Sequence, residues 1–395
     1  MTFAENKPKT YKPHTLIVGA GVAGLTCAGL LQRQGINPVI VERETQETFN
    51  SGGYMLGLLP LGGRVLNQLD AREAYFAQSI EMKTYEIHRE DGRLIKSYDL
   101  DFISREYGSY RGISRYALIT VLLDSMMDSS VIRYGTMVKA LQQQENQVVA
   151  TFSDGSEETF DLVIAADGLH STTRKLVLTE DEYTYHDTHW GGWVAWLDEK
   201  PETTYRDYWG ASSFMGVYPV GDRIGAFIGG PEKRIKEIGR QAFIEQEKQQ
   251  LADDHPLLRR SLDAVAEATD PFYWEFHDVR AKQWVKGNIV LLGDAAAGFL
   301  PTAGVGASMA MDSAAALADE LSRSDLEHLD YALKLYVRRQ RTRVEKSQQD
   351  SRNFGKMMFV KSPAVAAARN YALRFYTLEA MLKDISRTIE GTVNS

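Results

Sequence analysis

The alternation of apolar and polar positions begins with a strand, a turn and a helix near the amino terminus. Residues 14–20, HTLIVGA, form an apolar run rich in β-branched residues. Glycines follow, and then a helical pattern continues to Gln34. A second apolar run, NPVIVER, covers residues 37–43. Short runs of this kind are typical of parallel strands that are buried on both faces. The order strand, glycine turn, helix and strand predicts a βαβ unit.

Two later segments repeat the buried-strand pattern, and a different pattern separates them. Residues 161–168, DLVIAADG, and 287–296, GNIVLLGDAA, both end in glycine turns. Residues 91–100 and 183–230 instead alternate and are rich in aromatic and β-branched side chains, which indicates an antiparallel sheet. We therefore predict an α/β fold in which a discontinuous Rossmann-like domain is interrupted by an antiparallel-sheet substrate domain.

The carboxyl-terminal part of the chain has a helical pattern from about residue 317 onward. Residues 362–382 are amphipathic and could cover a pocket or pack against a second subunit, so a monomer and a homodimer both remain open. The predicted boundaries are 1–75, 100–180 and 275–330 for the Rossmann-like domain, 76–99 and 181–274 for the sheet domain, and 331–395 for a helical region.

Composition limits the class of protein. The 395 residues include 45 Lys and Arg against 53 Asp and Glu, a net charge of −8, which argues against nucleic acid as the main partner. The one cysteine, Cys27, cannot form an internal disulfide and is expected in the core. The polar amino terminus resembles no secretory signal, and the most apolar stretch is too short to span a bilayer. We expect a cytoplasmic protein without an integral membrane segment or a metal site.

The first turn, GAGVAG, carries the glycine spacing of a dinucleotide-binding loop. Gly19 permits the tight turn, Gly21 lets the main chain approach a pyrophosphate, and Gly24 lets the helix pack close to the sheet. Ala23 lies in the same turn. The N–H groups at the start of the helix would bind phosphates.

Glu42 ends the second strand, 18 positions after Gly24, where a carboxylate can accept both ribose hydroxyl protons. A turn that serves only helix packing would leave Glu42 unexplained. This unit alone does not distinguish FAD from NAD.

Three further motifs carry a family resemblance. They are DLVIAADGLHSTTR at 161–174, GNIVLLGDAAAGFLPTAGVG at 287–306, and RGISRYALITVLLDSM at 111–126 with Arg115 at its helix start. Together with the first turn, they resemble the class A FAD monooxygenases of the para-hydroxybenzoate and salicylate hydroxylase type. That superfamily also includes tetracycline-inactivating monooxygenases. The resemblance covers about residues 14–345.

The resemblance implies a role for each matching residue. Glu42, with Arg43 beside it, would bind the adenosine ribose, and Arg115 would reach the phosphate and ribityl region. Asp167, followed by Gly168, would serve both FAD and the pyridine nucleotide. Asp294 would bind the ribityl chain. The segment 52–69 would place Gly53 near the flavin, with Pro60 and Arg64 on the next helix.

The small-residue loop after Asp294 would let the main chain lie against the flavin. Pro301 fixes φ there. Gly304, Gly306 and Ala307 would begin a helix whose free N–H groups stabilise negative charge on the reduced ring. Asp294 could alternatively be a simple helix N-cap. The chain departs from the family pattern at Ala297, Val305, Ser308 and Asp312–Ser313, which weakens a closer subfamily assignment.

The resemblance also implies the reaction. NAD(P)H would reduce FAD, O₂ would add to form a C4a-hydroperoxide, and the distal oxygen would pass to an aromatic or polycyclic small molecule. The site must exclude water, because the hydroperoxide otherwise decays to H₂O₂. NAD(P)H would bind transiently over a surface groove, since no separate nicotinamide domain is evident.

Aromatic residues of the sheet domain are candidates for the substrate wall, namely Trp193, Phe214 and Tyr218, with Trp196 and Met215 nearby. Alternation places only half of them on one face, and Phe214 and Tyr218 share parity. His186, His189, Tyr208 and Tyr218 are possible bases or relays, and no catalytic base is assigned.

Other enzymes on the same fold remain possible. A flavin-dependent halogenase would carry two tryptophans at the spacing of Trp193 and Trp196, but no Ile-Pro follows them here. An epoxidase, a prenyl reductase or a non-enzymatic FAD-binding regulator would also bind FAD. Turnover separates these functions.

Overall fold

The computed structural model describes residues 12–49, 53–252 and 255–377. The strands are β1 (Thr15–Val18), β2 (Val39–Val41), β3 (Met55–Leu58), β4 (Ile80–Glu81), β5 (Thr84–Arg89), β6 (Leu94–Asp99), β7 (Arg111–Ser114), β8 (Ile132–Arg133), β9 (Val138–Gln143), β10 (Val148–Phe152), β11 (Glu157–Phe160), β12 (Leu162–Ala165), β13 (Tyr183–Leu197), β14 (Thr204–Trp209), β15 (Phe214–Val220), β16 (Arg223–Pro231), β17 (Phe272–Ala281), β18 (Val285–Lys286) and β19 (Ile289–Leu291).

The helices are α1 (Val22–Arg33), α2 (Gln46–Phe49), α3 (Pro60–Gln68), α4 (Arg72–Gln78), α5 (Asp101–Glu106), α6 (Arg115–Asp124), α7 (Thr172–Val177), α8 (Glu232–Lys248), α9 (Pro256–Glu267), α10 (Asp294–Ala297), α11 (Gly306–Ser322), α12 (Leu329–Met358) and α13 (Pro363–Leu373). Two short 3₁₀ turns cover Glu180–Glu182 and Pro301–Ala303. Within the described part of the chain, no helix combines the length and apolarity needed to cross a membrane.

A six-stranded sheet forms the base of the fold, in the order β18-β19-β12-β1-β2-β8. Its strands pair in parallel except for the short β18–β19 hairpin. The four buried-type segments of the sequence supply β1, β2, β12 and β19. Their side chains are buried except for the half-buried Val39, with Ile17, Ile40 and Ile164 in register across three strands. The predicted α/β fold with a Rossmann-like sheet is confirmed.

A seven-stranded sheet forms the second layer, in the order β17-β13-β16-β15-β14-β5-β6. Its neighbours are antiparallel, as the alternating segments predicted, except that β5 and β14 run parallel. The sheet also includes β17, which begins three residues before the predicted domain boundary at 275. The strands of this sheet come from well-separated parts of the chain, and β17 crosses the predicted boundary. The division into domains stays a prediction.

A small sheet, β3-β7-β4, connects the two large sheets. Gly112 of β7 lies so close to β15 that an added Cβ would be 1.9 Å from the Pro219 carbonyl oxygen. Gly225 of β16 similarly faces Met55 of β3, and a Cβ added to Gly225 would lie 3.1 Å from the Met55 methyl group. These close approaches fix the seven-stranded sheet against the Rossmann-like layer, and the space left between the two layers becomes a cavity.

Helices complete the core on the other side. α11 packs against α1, α3 and α12, and its Met309, Met311 and Leu317 are buried. Cys27 of α1 is fully buried as expected, and burial raises the pKa of its thiol to about 12. The predicted carboxyl-terminal helices correspond to α12 and α13. Residues 378–395 of that predicted region, and residue 52 of the 52–69 segment, lie outside the described residues.

Candidate active site

A cavity of about 1300 Å³ lies between the two sheets. The ends of strands that are far apart in the chain meet on its wall. Gly19 follows β1, Glu42 follows β2, Asp167 follows β12 and Asp294 follows β19, and Arg115 joins them from the start of α6. In an open parallel sheet, ligands bind at the carboxyl ends of strands. The structure therefore brings five of the residues singled out in the sequence to one ligand-sized space.

The three glycines of the first turn have different surroundings. Gly19 has a φ of 102°, and an added Cβ would lie 2.7 Å from the Ala166 carbonyl oxygen. At Gly24 it would lie 2.0 Å from the Gly19 carbonyl oxygen. At Gly21, by contrast, it would meet no protein atom within 4 Å. Close packing of the chain against itself therefore requires glycine at positions 19 and 24. Gly24 does not line the cavity, whereas Gly21 borders its open space.

The first turn of α1 adds unsatisfied donors beside this open space. Its N-cap is Gly21, which has no side chain to accept from the first N–H groups. Helix N-termini of this kind bind phosphate through free N–H groups and the helix dipole. Val22 and Ala23 line the cavity at the same place.

Glu42 is buried and held by the main chain. Its Oε2 accepts from the Ala20 N–H at 2.9 Å, and its Oε1 accepts from the Glu44 N–H at 3.0 Å. A carboxylate can accept about four hydrogen bonds, so lone pairs remain for a ligand. Arg43 and Glu44 line the cavity next to it.

Asp167 is engaged by the start of α7. Its carboxylate accepts from the Thr173 N–H at 2.9 Å, from the Thr172 hydroxyl at 3.3 Å and from the Ser171 hydroxyl. These bonds shape the turn that follows. Gly168, with a φ of 79° and no atom within 4 Å of an added Cβ, borders the cavity. The proposed contact of Asp167 with FAD or a pyridine nucleotide stays a prediction.

Arg115 heads α6, whose N-terminus is capped by Ser114 accepting from the Ala117 N–H at 3.0 Å. The guanidinium lies 5.9 Å from the centre of the Phe49 ring. Gly53, with a φ of 140°, approaches Arg115 so closely that an added Cβ would be 3.5 Å from its Cβ. The Arg115 N–H donates to the Tyr54 carbonyl at 2.9 Å. Gly53 and Arg115 thus form one continuous part of the wall.

Pro60 and Arg64 belong to α3, as the sequence indicated, but neither residue lines the cavity. Pro60 is the first residue of the helix and is buried. Their helix supports the wall from behind through its contact with α11.

Asp294 begins the short helix α10. The N-cap is Gly293, whose φ of 59° and close approach to Ala23 would put an added Cβ 2.9 Å from the Ala23 methyl group. The N-cap alternative for Asp294 is therefore not what the chain adopts. Among the described residues, no donor hydrogen-bonds to its carboxylate. Burial raises the pKa of Asp294 to about 6, and the charge of Arg174 opposes that shift. The Asp294 carboxylate is thus a hydrogen-bond acceptor at the cavity wall that has no donor among the described residues.

The loop after Asp294 turns sharply before α11. Pro301 starts the 3₁₀ turn, and Gly304 adopts a left-handed φ of 60°. α11 then begins at Gly306 without a side-chain cap, so the N–H groups near Ala307 are free at the cavity wall. The helix has 17 residues, long enough for its positive end to act on a bound anion.

Helix α12 holds this loop in place, which the sequence did not indicate. Gln348 donates to the Val279 carbonyl at 2.8 Å and also to the Gly298 carbonyl. Ser351 donates to the Leu300 carbonyl at 2.9 Å. Gln348 and Ser351 are fully buried. They lie three positions apart on the stripe of α12 that also carries Val344 and Met358, and polar residues on the apolar stripe of a helix were the available sequence signal.

The other end of the cavity is aromatic. Phe214 and Tyr218 line it, together with Met55, Met82, Tyr110, Tyr205, Val220, Phe227, Phe276, Leu300 and Met358. Trp193 does not. It packs with Phe243 in the cluster between the sheet and helices α8 and α9, as does Met215, whose parity differs from that of Phe214. The structure thus corrects the proposed substrate wall by removing Trp193 from it.

The candidate bases divide in the same way. His189 is exposed, with its Nδ1 3.1 Å from Asp187 Oδ2, and His186 lies opposite Asp278 where β13 runs beside β17; both histidines lie outside the cavity wall. Tyr208 stacks on His88 at 4.9 Å on the far side of the sheet. Tyr218 is the one of the four that lines the cavity in the described part of the chain.

Tyr218 belongs to a buried cluster that the sequence analysis missed. Its hydroxyl donates to Asp207 Oδ1 at 3.0 Å, while the Tyr85 hydroxyl donates to Oδ2 at 2.7 Å and Trp209 Nε1 lies 3.4 Å from Oδ2. Burial raises the pKa of Asp207 to about 6, although these donors lower it. Tyr205, Asp207 and Trp209 occupy every second position of β14, so their side chains lie on the same face of the sheet. An acid at this spacing between two aromatic residues was the sequence signal for the cluster.

Comparison with known proteins agrees with this geometry. Residues 12–350 match the family model described as FAD binding domain. The chain is 28% identical over 359 residues to the 3-amino-4-hydroxybenzoate 2-monooxygenase of Streptomyces platensis, covering 88% of each chain. It is 26% identical over 357 residues to the 6-hydroxynicotinate 3-monooxygenase of Pseudomonas fluorescens, covering 86% and 90%. The crystal structure of Klebsiella pneumoniae HpxO with FAD and uric acid superposes with a TM-score of 0.83 at 22% identity, covering 96% and 97%.

Proposed function

The chain belongs to the FAD binding domain family and is a flavin-dependent monooxygenase, and on that premise we propose that it hydroxylates an aromatic or polycyclic small molecule with O₂ and NAD(P)H as co-substrates. The observation that carries the proposal is the joining of two unlike spaces in one cavity. A polar, glycine-lined part with Asp294 and the free start of α11 opens into a compartment of aromatic and methionine side chains.

The residues of the polar part fit FAD. Gly21 leaves a space that no protein atom fills, and the Asp294 carboxylate accepts from no described donor. Glu42 would bind the adenosine ribose, the first turn of α1 with Arg115 the phosphates, and Asp294 the ribityl hydroxyls. When bound, FAD supplies the redox chemistry that activates O₂.

The chain's own contribution is electrostatic and steric. The free N–H groups of Gly306 and Ala307 would stabilise negative charge on a ring placed at the start of α11. Phe214, Phe227 and Met358 would exclude water from the substrate, which limits loss of oxidising equivalents as H₂O₂.

The open side of the cavity is the proposed place for the pyridine nucleotide. Arg43 lines it, and the rings of His170 and His277 lie 5.0 Å apart there. A cation and two imidazole donors would suit a phosphate-bearing ligand that binds and leaves during each cycle.

The halogenase alternative loses its sequence support. The two tryptophans at the matching spacing, Trp193 and Trp196, both lie outside the cavity wall. No observation in the structure favours an epoxidase, a reductase or a regulator over a hydroxylase.

The test is turnover by the purified FAD-loaded protein. NADH and NADPH oxidation would be followed with phenols, indoles, quinolones and polyketides as candidate substrates. We expect an active compound to accelerate NAD(P)H oxidation and to be recovered as a hydroxylated product, with little free H₂O₂. The proposal would be contradicted if the protein bound flavin but none of these compounds stimulated NAD(P)H oxidation.

A further inference from the structure

One wall of the aromatic compartment is supported by a carboxylate that lies behind it. Asp207 is 3% exposed and does not line the cavity. Its hydrogen bonds in the described structure come from three side-chain donors, Tyr85, Tyr218 and Trp209. An ionised carboxylate can only accept, and a pKa of about 6 leaves Asp207 mostly ionised at neutral pH. The Tyr218 hydroxyl proton therefore points at Asp207 and away from the cavity.

This arrangement fixes what the Tyr218 hydroxyl can offer on its cavity side. Its ring stacks on that of Tyr205 at 4.3 Å, and its hydroxyl donates to Asp207 Oδ1 at 3.0 Å. A hydroxyl has one proton. Since the proton of Tyr218 is committed to Asp207, the Tyr218 oxygen can offer a ligand only its lone pairs.

No Lys or Arg lines the aromatic compartment in the described part of the chain. Arg43 and Arg115 are the Lys and Arg side chains on the described cavity wall, and both belong to the polar part, beside Glu42 and Phe49. The residues that line the compartment beside Tyr205 and Tyr218, such as Tyr110, Phe214 and Met358, carry no charge. A ligand carboxylate there would face a buried anion, Asp207, without a cation, and such burial is costly.

We propose that the substrate of this cavity is an uncharged planar aromatic whose ring hydroxyl or N–H donates a hydrogen bond to the Tyr218 oxygen, and that carboxylated aromatics are rejected. The inference rests on the proposed function, because it assigns the aromatic compartment to the substrate. It distinguishes this chain from the two curated relatives described above, whose names specify carboxylated rings, a nicotinate and a benzoate.

Equilibrium binding to the oxidised FAD-loaded protein tests the substrate class without turnover. Three probes on one ring system isolate the two features: 2-naphthol, 2-methoxynaphthalene without the donor, and 6-hydroxy-2-naphthoate with a carboxylate. Binding would be followed by calorimetry and by the flavin absorption bands. We expect 2-naphthol to bind about tenfold more tightly than either of the others. Equal or tighter binding of the ether or the carboxylate, or no binding of any probe, would overturn the inference.

The variant Asp207→Asn tests the polarity itself. Tyr85 and Trp209 both donate to Oδ2, so the amide oxygen would take that position and the amide NH₂ would face Tyr218. The amide would then donate to the Tyr218 oxygen and release its hydroxyl proton toward the cavity. We expect the preference to reverse, with 2-methoxynaphthalene binding at least as tightly as 2-naphthol. An unchanged preference in folded, FAD-loaded protein would overturn the inference.

Asp161→Asn provides the matched control. Asp161 is also a buried acid, held by the His14 N–H at 2.8 Å and by Gln147 at 2.9 Å, away from the cavity wall. The same change of carboxylate to amide there is expected to keep the preference for 2-naphthol. A reversal in both variants would mean that Asp207 acts through general loosening, which would count against the inference.

The two proposals fail separately. If 2-naphthol binds as expected but no aromatic compound accelerates NAD(P)H oxidation, the proposed hydroxylation fails while the recognition by Tyr218 stands. If carboxylated aromatics are hydroxylated efficiently, the monooxygenase stands and the inferred substrate class fails.

Discussion

The two parts of the cavity are built from different materials. The polar part presents main chain at several glycines, with Gly21 and Gly168 leaving open space and helix starts supplying N–H groups. The aromatic part is lined by side chains from β14, β15 and β16, such as Phe214 and Phe227. A main-chain surface recognises what every family member binds, whereas a side-chain surface can be changed one residue at a time. The comparison indicates that cofactor binding depends on the fold and substrate choice depends on the sheet.

The largest effect is expected from filling the space at Gly21. In Gly21→Val the new side chain would meet no protein atom at Cβ, so the apoprotein should fold normally while the phosphate site is blocked. We expect FAD affinity to fall by about 100-fold or more. Fluorescence titration of apoprotein with FAD measures this, and thermal unfolding of the apoprotein checks the fold.

Gly24→Val is the matched comparison for that variant. Its Cβ would lie 2.0 Å from the Gly19 carbonyl oxygen, so the main chain must shift. We expect poor folding there, in contrast to Gly21→Val. Normal FAD affinity in Gly21→Val would mean that the space beside this residue is not used by the cofactor.

A smaller effect is expected from the protonation of Asp294. Burial raises the pKa of its carboxyl to about 6 in the chain without FAD. Ribityl hydroxyls would donate to the ionised form, so binding must favour deprotonation, and affinity must fall as pH drops below about 6. Between pH 7 and pH 5 we expect the FAD dissociation constant to rise by about tenfold. Asp294→Asn should bind FAD more weakly at pH 8 and lose most of the pH dependence, and retention of the full dependence would contradict this role.

A substitution of Gln348 tests whether helix α12 positions the loop that separates the polar part of the cavity from the aromatic part. In Gln348→Leu the Val279 and Gly298 carbonyls would lose their buried donor. We expect the free energy of unfolding to fall by about 2 kcal/mol. We also expect a larger fraction of NAD(P)H oxidation to yield H₂O₂ in place of hydroxylated product. Denaturant titration and peroxide assays measure the two effects.

The exposed neighbour Gln349 provides the control, since its side chain contacts Asn353 on the helix surface. Gln349→Leu should change neither quantity. An equal rise in peroxide for both variants would show that the loop from Gly298 to Thr302 is not positioned by α12.

The smallest effect is expected at Trp193. This residue packs toward helix α8 and does not line the cavity. Trp193→Phe should leave the binding of 2-naphthol within about twofold, whereas Phe214→Ala, which opens the wall, should weaken it by about tenfold. Similar losses in both variants, measured by calorimetry, would restore Trp193 to the substrate wall.

Local motifs explain why the polar part could be predicted. The spacing of Gly19, Gly21 and Gly24 and the acid at Glu42 reflect requirements within a few residues of one turn. Asp294 and the loop to Gly306 follow a strand directly, so the sequence places them at a sheet end.

The aromatic part depends on pairings that no local pattern specifies. The parallel pairing of β5 with β14 brings Tyr85 beside Asp207, across 122 residues of chain. β13 changes register between Asp187 and Gly191, which obscures the face on which Trp193 lies. Alternation correctly separates Phe214 and Tyr218 from Met215, but it does not say which face borders the cavity.

The most direct test of the two-part cavity is an absorption titration of the purified chain, first with FAD and then with 2-naphthol. We expect uptake of one FAD per chain, followed by a saturable shift of the flavin bands as the probe fills the aromatic part beside the ring. A chain that takes up no FAD, or one whose flavin bands stay unchanged while calorimetry records bound 2-naphthol, would contradict it.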